Sequence, residues 1–341
     1  MFCYYTTQRS IRRIDEPYDS RTPATLEFRS LLYSRMERPL KGKVALVDGA
    51  TRGAGRAIAV ELSRAGAFVY ATGRSSRVSG PSDMARPETI EETADMMHET
   101  GGEGDALRVD HSDAQAVEGL VRKIGLEKGK LDVLVNDIFG GHPYAQWDKK
   151  LWEHDITAGF TMLRNGVGAH LITCAKAIPL MLRSGPGLIV EMTDGTSDYN
   201  KAFRRNVGFY YDLVKANVER ITIGLAAELE DESVAAVAVT PGWMRSEQML
   251  ENFGVSESNW RDALADRPHS CISETPTFVA RGVVALACDP GAKRWSGRVL
   301  SSAELARQYG VTDVDGSQPD CWRYTVEVEN KGLPADPTGY R

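Results

Sequence analysis

The sequence has few of the features that mark secreted or metal-binding proteins. Its cysteines are far apart and have no CxxC spacing, which argues against a disulfide framework or a zinc site; they are Cys3, Cys174, Cys271, Cys288 and Cys321. Its six histidines include no HExxH pair. We therefore expect no metal, and a reducing cytoplasm suits free thiols.

Long apolar runs and an excess of positive charge are also absent. No segment approaches the roughly 18 apolar residues that cross a bilayer, and the Arg12–Arg13 pair is not followed by the apolar stretch of a signal peptide. The formal net charge is −6, whereas nucleic acids and anionic membranes are bound by clustered Lys and Arg. We expect a cytoplasmic protein that acts on a small molecule, without a nucleic-acid or membrane partner.

Short apolar runs alternate with amphipathic helical patterns from Gly42 onward. The predicted strands are 43–48, 67–72, 105–110, 131–136, 187–193, 234–240 and 297–301, and the predicted helices are 54–66, 88–101, 114–127, 162–183, 212–230 and 277–289. Val-rich and Ile-rich strands that are each followed by a helix indicate a parallel sheet covered on both faces. The predicted fold class is therefore α/β, a doubly wound parallel sheet (Rossmann fold) in a single domain.

The two ends of the chain differ from this pattern. Residues 1–38 contain Pro17 and Pro23 and lack a sustained period, so we predict a poorly ordered N-terminal extension. Residues 311–341 are rich in Pro, Gly and Asp, which indicates a C-terminal tail that wraps the domain or meets a partner subunit. Residues 39–310 are left as the catalytic domain.

A glycine-rich turn, DGATRGAGRAIA, follows the first predicted strand directly. Gly49, Gly53 and Gly55 have the spacing GxxxGxG, and a helix begins at once. Glycines allow a tight turn and let the backbone approach a pyrophosphate at the helix N-terminus. The predicted cofactor contacts in this turn are Gly49, Thr51, Arg52, Gly53, Ala54 and Gly55.

The residue after the second strand indicates which dinucleotide is bound. Enzymes that prefer NAD(H) carry an acid there, which accepts hydrogen bonds from the ribose, but this chain has Arg74. Arg52 approaches the same region, and two guanidinium groups suit a 2′-phosphate by charge and geometry. We predict NADP(H) in preference to NAD(H), with Asp110 available for the adenine amino group.

Tyr211 and Lys215 are four residues apart on the helix that follows the fifth strand. Side chains at this spacing lie on one face of a helix. A free phenol has a pKa of about 10, and a neighbouring ammonium group lowers that value. We predict that Tyr211 is a general acid or base, and that Lys215 lowers its pKa and bonds the cofactor ribose.

These motifs together resemble the short-chain dehydrogenase/reductase family over about residues 40–310. VND resembles the family's NNAG signature, with Asn136 retained, and VNDIFGG resembles a branch of bacterial reductases. Asn165 matches the helix asparagine that holds a water for proton relay. Pro241 and Gly242 match the turn beside the nicotinamide amide. The resemblance also implies a homo-oligomer, either a dimer or a tetramer.

The chain departs from the family at two places, the glycine turn and the segment that carries the catalytic serine. Asp48 replaces the usual Thr before the glycine turn, and Thr193–Asp194 replaces Ser-Ser after the fifth strand. Either an insertion follows that strand and Thr193 or Asp194 occupies the serine position, or the strand ends late and Ser197 does so. The LIVEM pattern favours the first explanation. A protonated Asp194 donates to a carbonyl, whereas an ionised one repels a developing alkoxide.

Large apolar side chains gather in the segments expected to border the nicotinamide: Phe139, Trp147, Tyr199, Phe203, Trp243, Met244, Phe253 and Trp260. Residues 243–270 resemble the family's lid, which shields the reaction from water. We therefore expect an NADP(H)-dependent oxidoreductase that interconverts a carbonyl and an alcohol on an apolar small molecule. The alternative is a nucleotide-binding regulator on the same fold with impaired catalysis, because the serine is missing.

Overall fold

The computed structural model describes residues 38–341, so the predicted N-terminal extension lies outside the described residues except for its last one. Seven parallel strands form one sheet in the order β3-β2-β1-β4-β5-β6-β7. They are β1 (Val44–Asp48), β2 (Phe68–Gly73), β3 (Glu103–Arg108), β4 (Val133–Asn136), β5 (Gly187–Met192), β6 (Val234–Thr240) and β7 (Val299–Ser301). The predicted doubly wound parallel sheet is confirmed.

The helices that accompany these strands also follow the predicted alternation. They are α1 (Gly53–Arg64), α2 (Ile90–Glu99), α3 (Ala114–Lys128), α4 (Ile156–Leu163), α5 (Ala169–Ser184), α6 (Phe209–Glu228), α7 (Glu247–Asn252), α8 (Pro276–Cys288), α9 (Ser302–Tyr309) and α10 (Cys321–Glu327). Among these helices, none combines the length and apolar character needed to cross a bilayer.

Two buried cores lie on opposite faces of the sheet. Ala45 and Val47 of β1 belong to the core under α1, α2, α8 and α9. Val44 and Leu46 belong to the core under α3 and α5. Successive residues of a strand point to opposite faces, so an unbroken apolar strand such as β1 needs helices on both sides. This requirement explains why β1 has no polar alternation.

The predicted helix at 162–183 is instead two helices joined by a π-helical turn. α4 begins at Ile156, where the Asp155 side chain accepts hydrogen bonds from two backbone N–H groups, and the turn covers Arg164–Gly168 before α5 starts. Such turns widen a helix by one residue and are frequent at functional sites. The turn contains Asn165, a predicted catalytic residue.

The C-terminal residues pack along the edge of the sheet where the strands end. The Trp322 indole Nε1 donates to the carbonyl oxygen of Pro241 at 3.0 Å. Cys321, Tyr324 and Val328 form a small core with Ile272. The segment predicted as a tail thus lies against the loops that follow β6.

Candidate active site

One large cavity opens at the carboxyl ends of the strands, with a volume of about 1080 Å³. Its walls come from the loops after β1, β2, β3, β4, β5 and β6, and from Gln248 and Met249 of α7. β1 lies between β2 and β4 in the sheet, so the chain reverses its winding direction there. Doubly wound sheets bind their ligands in the crevice at this reversal.

The glycine turn forms one wall of the cavity, and its conformation requires glycine. Gly49 has a φ of +65°, and a Cβ there would lie 2.3 Å from the carbonyl oxygen of Asp137. Gly53, with a φ of +58°, begins α1 and lines the cavity. The turn and the start of α1 fit a dinucleotide, because the glycines have no side chain that would keep a pyrophosphate away from the backbone.

Two N–H groups at the start of α1 already have carboxylate partners. The Gly53 N–H donates to Oε2 of Glu247 at 2.9 Å, and the Gly55 N–H donates to Oδ2 of Asp137 at 2.6 Å. Glu247 belongs to α7, in the predicted lid. A pyrophosphate at this end of the helix would therefore compete with Glu247 for the Gly53 N–H.

Most of the predicted cofactor residues line the cavity: Gly49, Thr51, Arg52, Gly53, Ala54, Arg74, Asp110, Tyr211, Lys215, Pro241 and Gly242. Gly55 and Asn136 do not. Gly55 faces the turn itself, where a Cβ would lie 2.6 Å from the carbonyl oxygen of Gly49. Its glycine is needed for the close packing of α1 on the turn.

The Asn136 side chain lies in the core instead, so its predicted contact with the cofactor lacks support. Asn136 is paired in register with Asp48 and Glu191 on the neighbouring strands. Its Nδ2 donates to Oε1 of Glu191 at 2.7 Å and to Sγ of Cys174 at 3.1 Å. Residues in register on parallel strands point to the same face, which here is the face covered by α5.

This buried polar row holds the loop after β4 in place. Asp48 Oδ1 accepts a hydrogen bond from the Asp137 N–H at 2.8 Å, and burial raises the pKa of Asp48 well above its usual value. His170 contacts Glu191 through Nδ1 and the Ile138 carbonyl oxygen through Nε2, the latter at 2.7 Å. Asp48 thus gives the wall of the cavity a hydrogen-bond acceptor in place of the family's Thr.

Tyr211 and Lys215 lie together on the cavity wall, at the first turns of α6. The Tyr211 hydroxyl donates to Oδ2 of Asp194 at 3.1 Å. The Tyr211 ring packs edge-on against Phe139, with 5.2 Å between centroids. Lys215 Nζ lies 4.5 Å from the centroid of the same Phe139 ring. Phe139 therefore shields one side of both side chains from solvent.

The ionisation of this pair differs from what the sequence predicted. The pKa of Tyr211 is raised well above its usual value, first by burial and then by the Asp194 carboxylate. Burial lowers the pKa of Lys215. The predicted lowering of the Tyr211 pKa is therefore reversed here, because a carboxylate is in hydrogen-bond contact with the hydroxyl. Tyr211 is a protonated phenol in this arrangement.

Of the three candidates for the serine position, only Asp194 contacts Tyr211. The Thr193 hydroxyl donates to the backbone carbonyl of Lys215 at 2.9 Å, which fastens β5 to α6. The Ser197 hydroxyl donates to Oε1 of Glu219 at 2.6 Å on the exposed surface. β5 ends at Met192, as the explanation based on an insertion requires.

Arg204 is a residue of this site that the sequence analysis missed. Its Nη1 lies 3.0 Å from Oδ2 of Asp194, although ten residues separate the two in the chain. The segment between β5 and α6 has neither helical nor strand period, so its fold could not be foreseen. The only sequence signal was the length of the insertion that contains Arg204.

Asn165 also lines the cavity, and its Nδ2 donates to the carbonyl oxygen of Gly140 at 3.0 Å. The π-helical turn brings it there, because the extra residue rotates the side chain toward the loop after β4. The amide oxygen is left for another donor. The water relay that the family resemblance implies for Asn165 stays a prediction.

The two arginines predicted to bind a 2′-phosphate lie on the same cavity. Arg74 Nη2 is 2.6 Å from Oδ1 of Asp83, and Arg52 Nη1 is 3.5 Å from Oε2 of Glu88. Both carboxylate partners belong to the segment between β2 and α2, and the Arg74 guanidinium also lies close to Gly140 of the loop after β4. A bound phosphate would have to share the two arginines with these carboxylates or displace the carboxylates.

The predicted apolar lining is partly observed. Phe139, Trp147, Trp243, Met244 and Phe253 line the cavity. Three others do not: Tyr199 packs on Trp322, Phe203 packs on Phe209, and the buried Trp260 lies beside the guanidinium groups of Arg245 and Arg261. Sequence position alone could not separate these two groups.

His269 and Glu329 form a polar part of the lining that the sequence analysis did not identify. Glu329 comes from the C-terminal segment, and burial raises the pKa of its carboxyl. The ring of His269 bonds the Tyr324 hydroxyl through Nδ1 at 2.9 Å. The C-terminal segment therefore contributes to the cavity as well as to the packing of the loops.

The sequence matches a known protein family. The model of the short chain dehydrogenase family matches residues 43–255. The chain belongs to the short-chain dehydrogenase/reductase family. It is 33% identical over 286 residues to mouse dehydrogenase/reductase SDR family member 1, covering 82% of this chain and 86% of the relative. The family is one of oxidoreductases that use NAD(P)(H) and small-molecule substrates.

Two further similarities support the same conclusion. The chain is 29% identical over 214 residues to 7alpha-hydroxysteroid dehydrogenase of Clostridium sardiniense, covering 63% of this chain and 75% of the relative. The crystal structure of a short-chain dehydrogenase/reductase from Burkholderia xenovorans superposes with a TM-score of 0.64 at 21% identity, covering 79% of this chain and 98% of that one. The second similarity concerns the fold.

Proposed function

We propose that this protein is an NADP(H)-dependent oxidoreductase that interconverts a carbonyl and an alcohol on an apolar small molecule. The observation that carries the proposal is the convergence of Tyr211, Lys215, Asn165 and Asp194 on the cavity formed by the glycine turn. An acid, a nearby ammonium group and a nucleotide-binding turn in one cavity are what such a reaction needs.

Each of these residues has a distinct part in the proposed reaction. A bound nicotinamide would supply or accept the hydride at the substrate carbon. Tyr211 gives its proton to the substrate oxygen in reduction and takes it back in oxidation. Lys215 places a positive charge beside Tyr211, with Nζ 5.9 Å from the ring centroid, and this charge favours the phenolate after the proton leaves. Asn165 supports a water relay that carries protons to and from Tyr211 and Lys215.

Arg52 and Arg74 support the choice of NADP(H). Both line the cavity beyond β2, where enzymes that prefer NAD(H) carry an acid. Arg74 forms its ion pair with Asp83, and forked hydrogen bonds from guanidinium groups suit a phosphate. The proposed cofactor preference thus rests on two arginines that line one cavity.

The substrate side of the cavity supports an apolar ligand. Phe139 and Trp147 pack against Tyr211, with 5.2 Å and 5.4 Å between ring centroids, and Trp243 and Phe253 also line the cavity. Burial of apolar surface favours binding by such a wall. The relative from Clostridium sardiniense is named for a hydroxysteroid, which is an apolar alcohol.

The proposal is tested by oxidation of NADPH and NADH in the presence of a panel of ketones, aldehydes and quinones. We expect turnover with NADPH to exceed turnover with NADH. Arg74→Ala should weaken NADPH binding about tenfold or more, because charge-assisted hydrogen bonds contribute about 1.5–3 kcal/mol, and should leave NADH binding unchanged. Arg77→Ala is the matched control, since Arg77 pairs with Asp95 on the surface. Equal use of both cofactors would contradict the NADP(H) assignment.

We further propose that the protein is a cytoplasmic homo-oligomer, a dimer or a tetramer. The free cysteines among the described residues are Cys174, Cys271, Cys288 and Cys321, which suits a reducing compartment. Phe160 on α4 and Leu171 on α5 are 62% and 50% exposed, as expected of an apolar face that packs against another copy. Light scattering on the purified chain tests the assembly. The alternative of an impaired regulator is not favoured, because the five predicted catalytic residues, Tyr211, Lys215, Asn165, Thr193 and Asp194, line one cavity.

A further inference from the structure

The two departures of this chain from the family pattern meet in space. One is Asp194 in place of the serine, and the other is the lengthened loop between β5 and α6, residues 195–208, which contains the predicted insertion. The insertion folds back so that Nη1 of Arg204 lies 3.0 Å from Oδ2 of Asp194. The residue that replaces the serine and the segment that lengthens the loop thus form a single structural unit.

Arg204 is held firmly by α6 on its other side. Its Nε donates to Oδ1 of Asp212 at 2.9 Å, and its backbone N–H donates to the same oxygen at 3.3 Å. Asp212 is the residue after Tyr211. The Arg204 side chain is only 8% exposed, so its position is determined by these ion pairs and by burial rather than by solvent.

The Asp194 oxygen that accepts from Arg204 also accepts from Tyr211. Oδ2 of Asp194 lies 3.1 Å from the Tyr211 hydroxyl and 3.0 Å from Nη1 of Arg204. Guanidinium N–H groups only donate hydrogen bonds, and a carboxylate oxygen only accepts them. Oδ2 of Asp194 is therefore held between two donors, Arg204 and the Tyr211 hydroxyl.

We propose that Arg204 is a positioning residue for the reaction: it holds Asp194 as an oriented hydrogen-bond acceptor for Tyr211, at the position where the family has a serine. This inference rests on the proposed function, because the pair affects turnover only if Tyr211 is the acid. Arg204 does not line the cavity, whereas Asp194 and Tyr211 do. Its guanidinium carbon is 5.8 Å from the Tyr211 ring centroid, and its ion pair with Asp194 is much shorter at 3.0 Å, so its main effect passes through Asp194.

The proposal predicts how substitutions at the two residues combine. Arg204→Gln should lower kcat about tenfold to a hundredfold with little change in NADPH affinity, whereas Arg204→Lys, which keeps the charge, should lose less than tenfold. In an Asp194→Asn background, adding Arg204→Gln should cost less than about twofold more, because the residue through which Arg204 acts has already changed. Arg205→Gln, at the exposed neighbouring position, is the matched control and should leave kcat unchanged.

The experiment measures kcat, NADPH affinity by fluorescence and thermal unfolding for the wild type and these variants with one carbonyl substrate. A further full-sized loss of kcat in the double variant, or no loss in Arg204→Gln, would overturn the role of Arg204 and leave the proposed function standing. If Arg204→Gln does not fold, Arg204→Lys decides: a loss as large as that of Asp194→Asn would overturn the proposal. Absence of turnover in the wild type with every carbonyl would overturn both.

Discussion

The carboxylate of Glu247 accepts a hydrogen bond from the backbone N–H of Gly53, 194 residues earlier in the chain, at 2.9 Å. Arg56 of α1 lies beside the same carboxylate, with Nη1 3.5 Å from Oε1. This contact joins α7, in the predicted lid, to the helix end where a pyrophosphate would bind. Anions at that position are favoured by the free N–H groups and the helix dipole.

Glu247→Gln should therefore tighten NADPH binding. The amide removes a negative charge that competes with the pyrophosphate, and a difference of about 1 kcal/mol corresponds to a fall in Kd of about fivefold. Fluorescence titration of NADPH measures this. Glu118→Gln, which breaks a surface pair with Lys176, is the control and should leave the Kd unchanged. Weaker binding by Glu247→Gln would contradict the competition.

Asp137 makes the stability of the protein depend on pH. Burial raises the pKa of its carboxyl from 3.8 to about 6, so the folded chain holds this proton more tightly than the unfolded chain. The resulting stabilisation is complete below about pH 4 and is lost as the pH rises through 6. A shift of about two units corresponds to at most about 3 kcal/mol.

Asp137→Asn should consequently raise the Tm relative to the wild type at pH 8 and change it little at pH 4. The asparagine keeps an acceptor for the Gly55 N–H without a charge to bury. Thermal unfolding at both pH values measures the difference, with Asp231→Asn at an exposed position as the control. The same change in Tm at both pH values would show that the carboxyl does not titrate in this range.

The Asp194 carboxylate should also influence which substrates are accepted. Its side chain is 33% exposed and lines the cavity, and an ionised carboxylate accepts hydrogen bonds but does not donate them. A simple ketone has no hydrogen-bond donor for this carboxylate, whereas a hydroxyl group beside the carbonyl donates to it. Sites built for a hydrogen bond reject analogues that lack the group.

We expect kcat/KM for a 2-hydroxyketone to exceed that for the matched ketone by about tenfold or more, since hydrogen bonds to charged groups contribute about 1.5–3 kcal/mol. Asp194→Ser should remove most of this preference, because a serine hydroxyl also donates to the carbonyl. Steady-state kinetics on the matched pair of substrates test this. A preference that survives Asp194→Ser would have another origin.

The sequence was sufficient to predict the sheet, because buried parallel strands consist of unbroken apolar runs such as VAAVAVT in β6. It also placed Tyr211 and Lys215 on one helix face, since local spacing determines that arrangement. The π-helical turn at Arg164–Gly168 was not foreseen, because hydrophobic periodicity does not distinguish it from a continuous α-helix. The direction of the Asn136 side chain could not be read from local sequence, because it depends on the register of β4 between β1 and β5.

The contacts that escaped prediction depend on loops and on the C-terminal segment. Arg204 reaches Asp194 through a loop without periodicity, and Glu247 reaches Gly53 from α7. Glu329 enters the cavity from the C-terminal segment. Such contacts depend on how the loops fold over the sheet, and local sequence patterns do not specify that. The glycine turn was predictable because its geometry is local.

The central claim is that Tyr211 transfers the proton to the substrate oxygen. The most direct measurement is a single turnover of NADPH-loaded protein with a carbonyl substrate, comparing Tyr211→Phe with Tyr210→Phe. Tyr210 is the adjacent buried tyrosine, and Tyr211 alone of the two lines the cavity. We predict that Tyr211→Phe binds NADPH with an unchanged Kd but oxidises it at least about a hundredfold more slowly, while Tyr210→Phe stays close to the wild type. Wild-type oxidation rates in Tyr211→Phe would contradict the account.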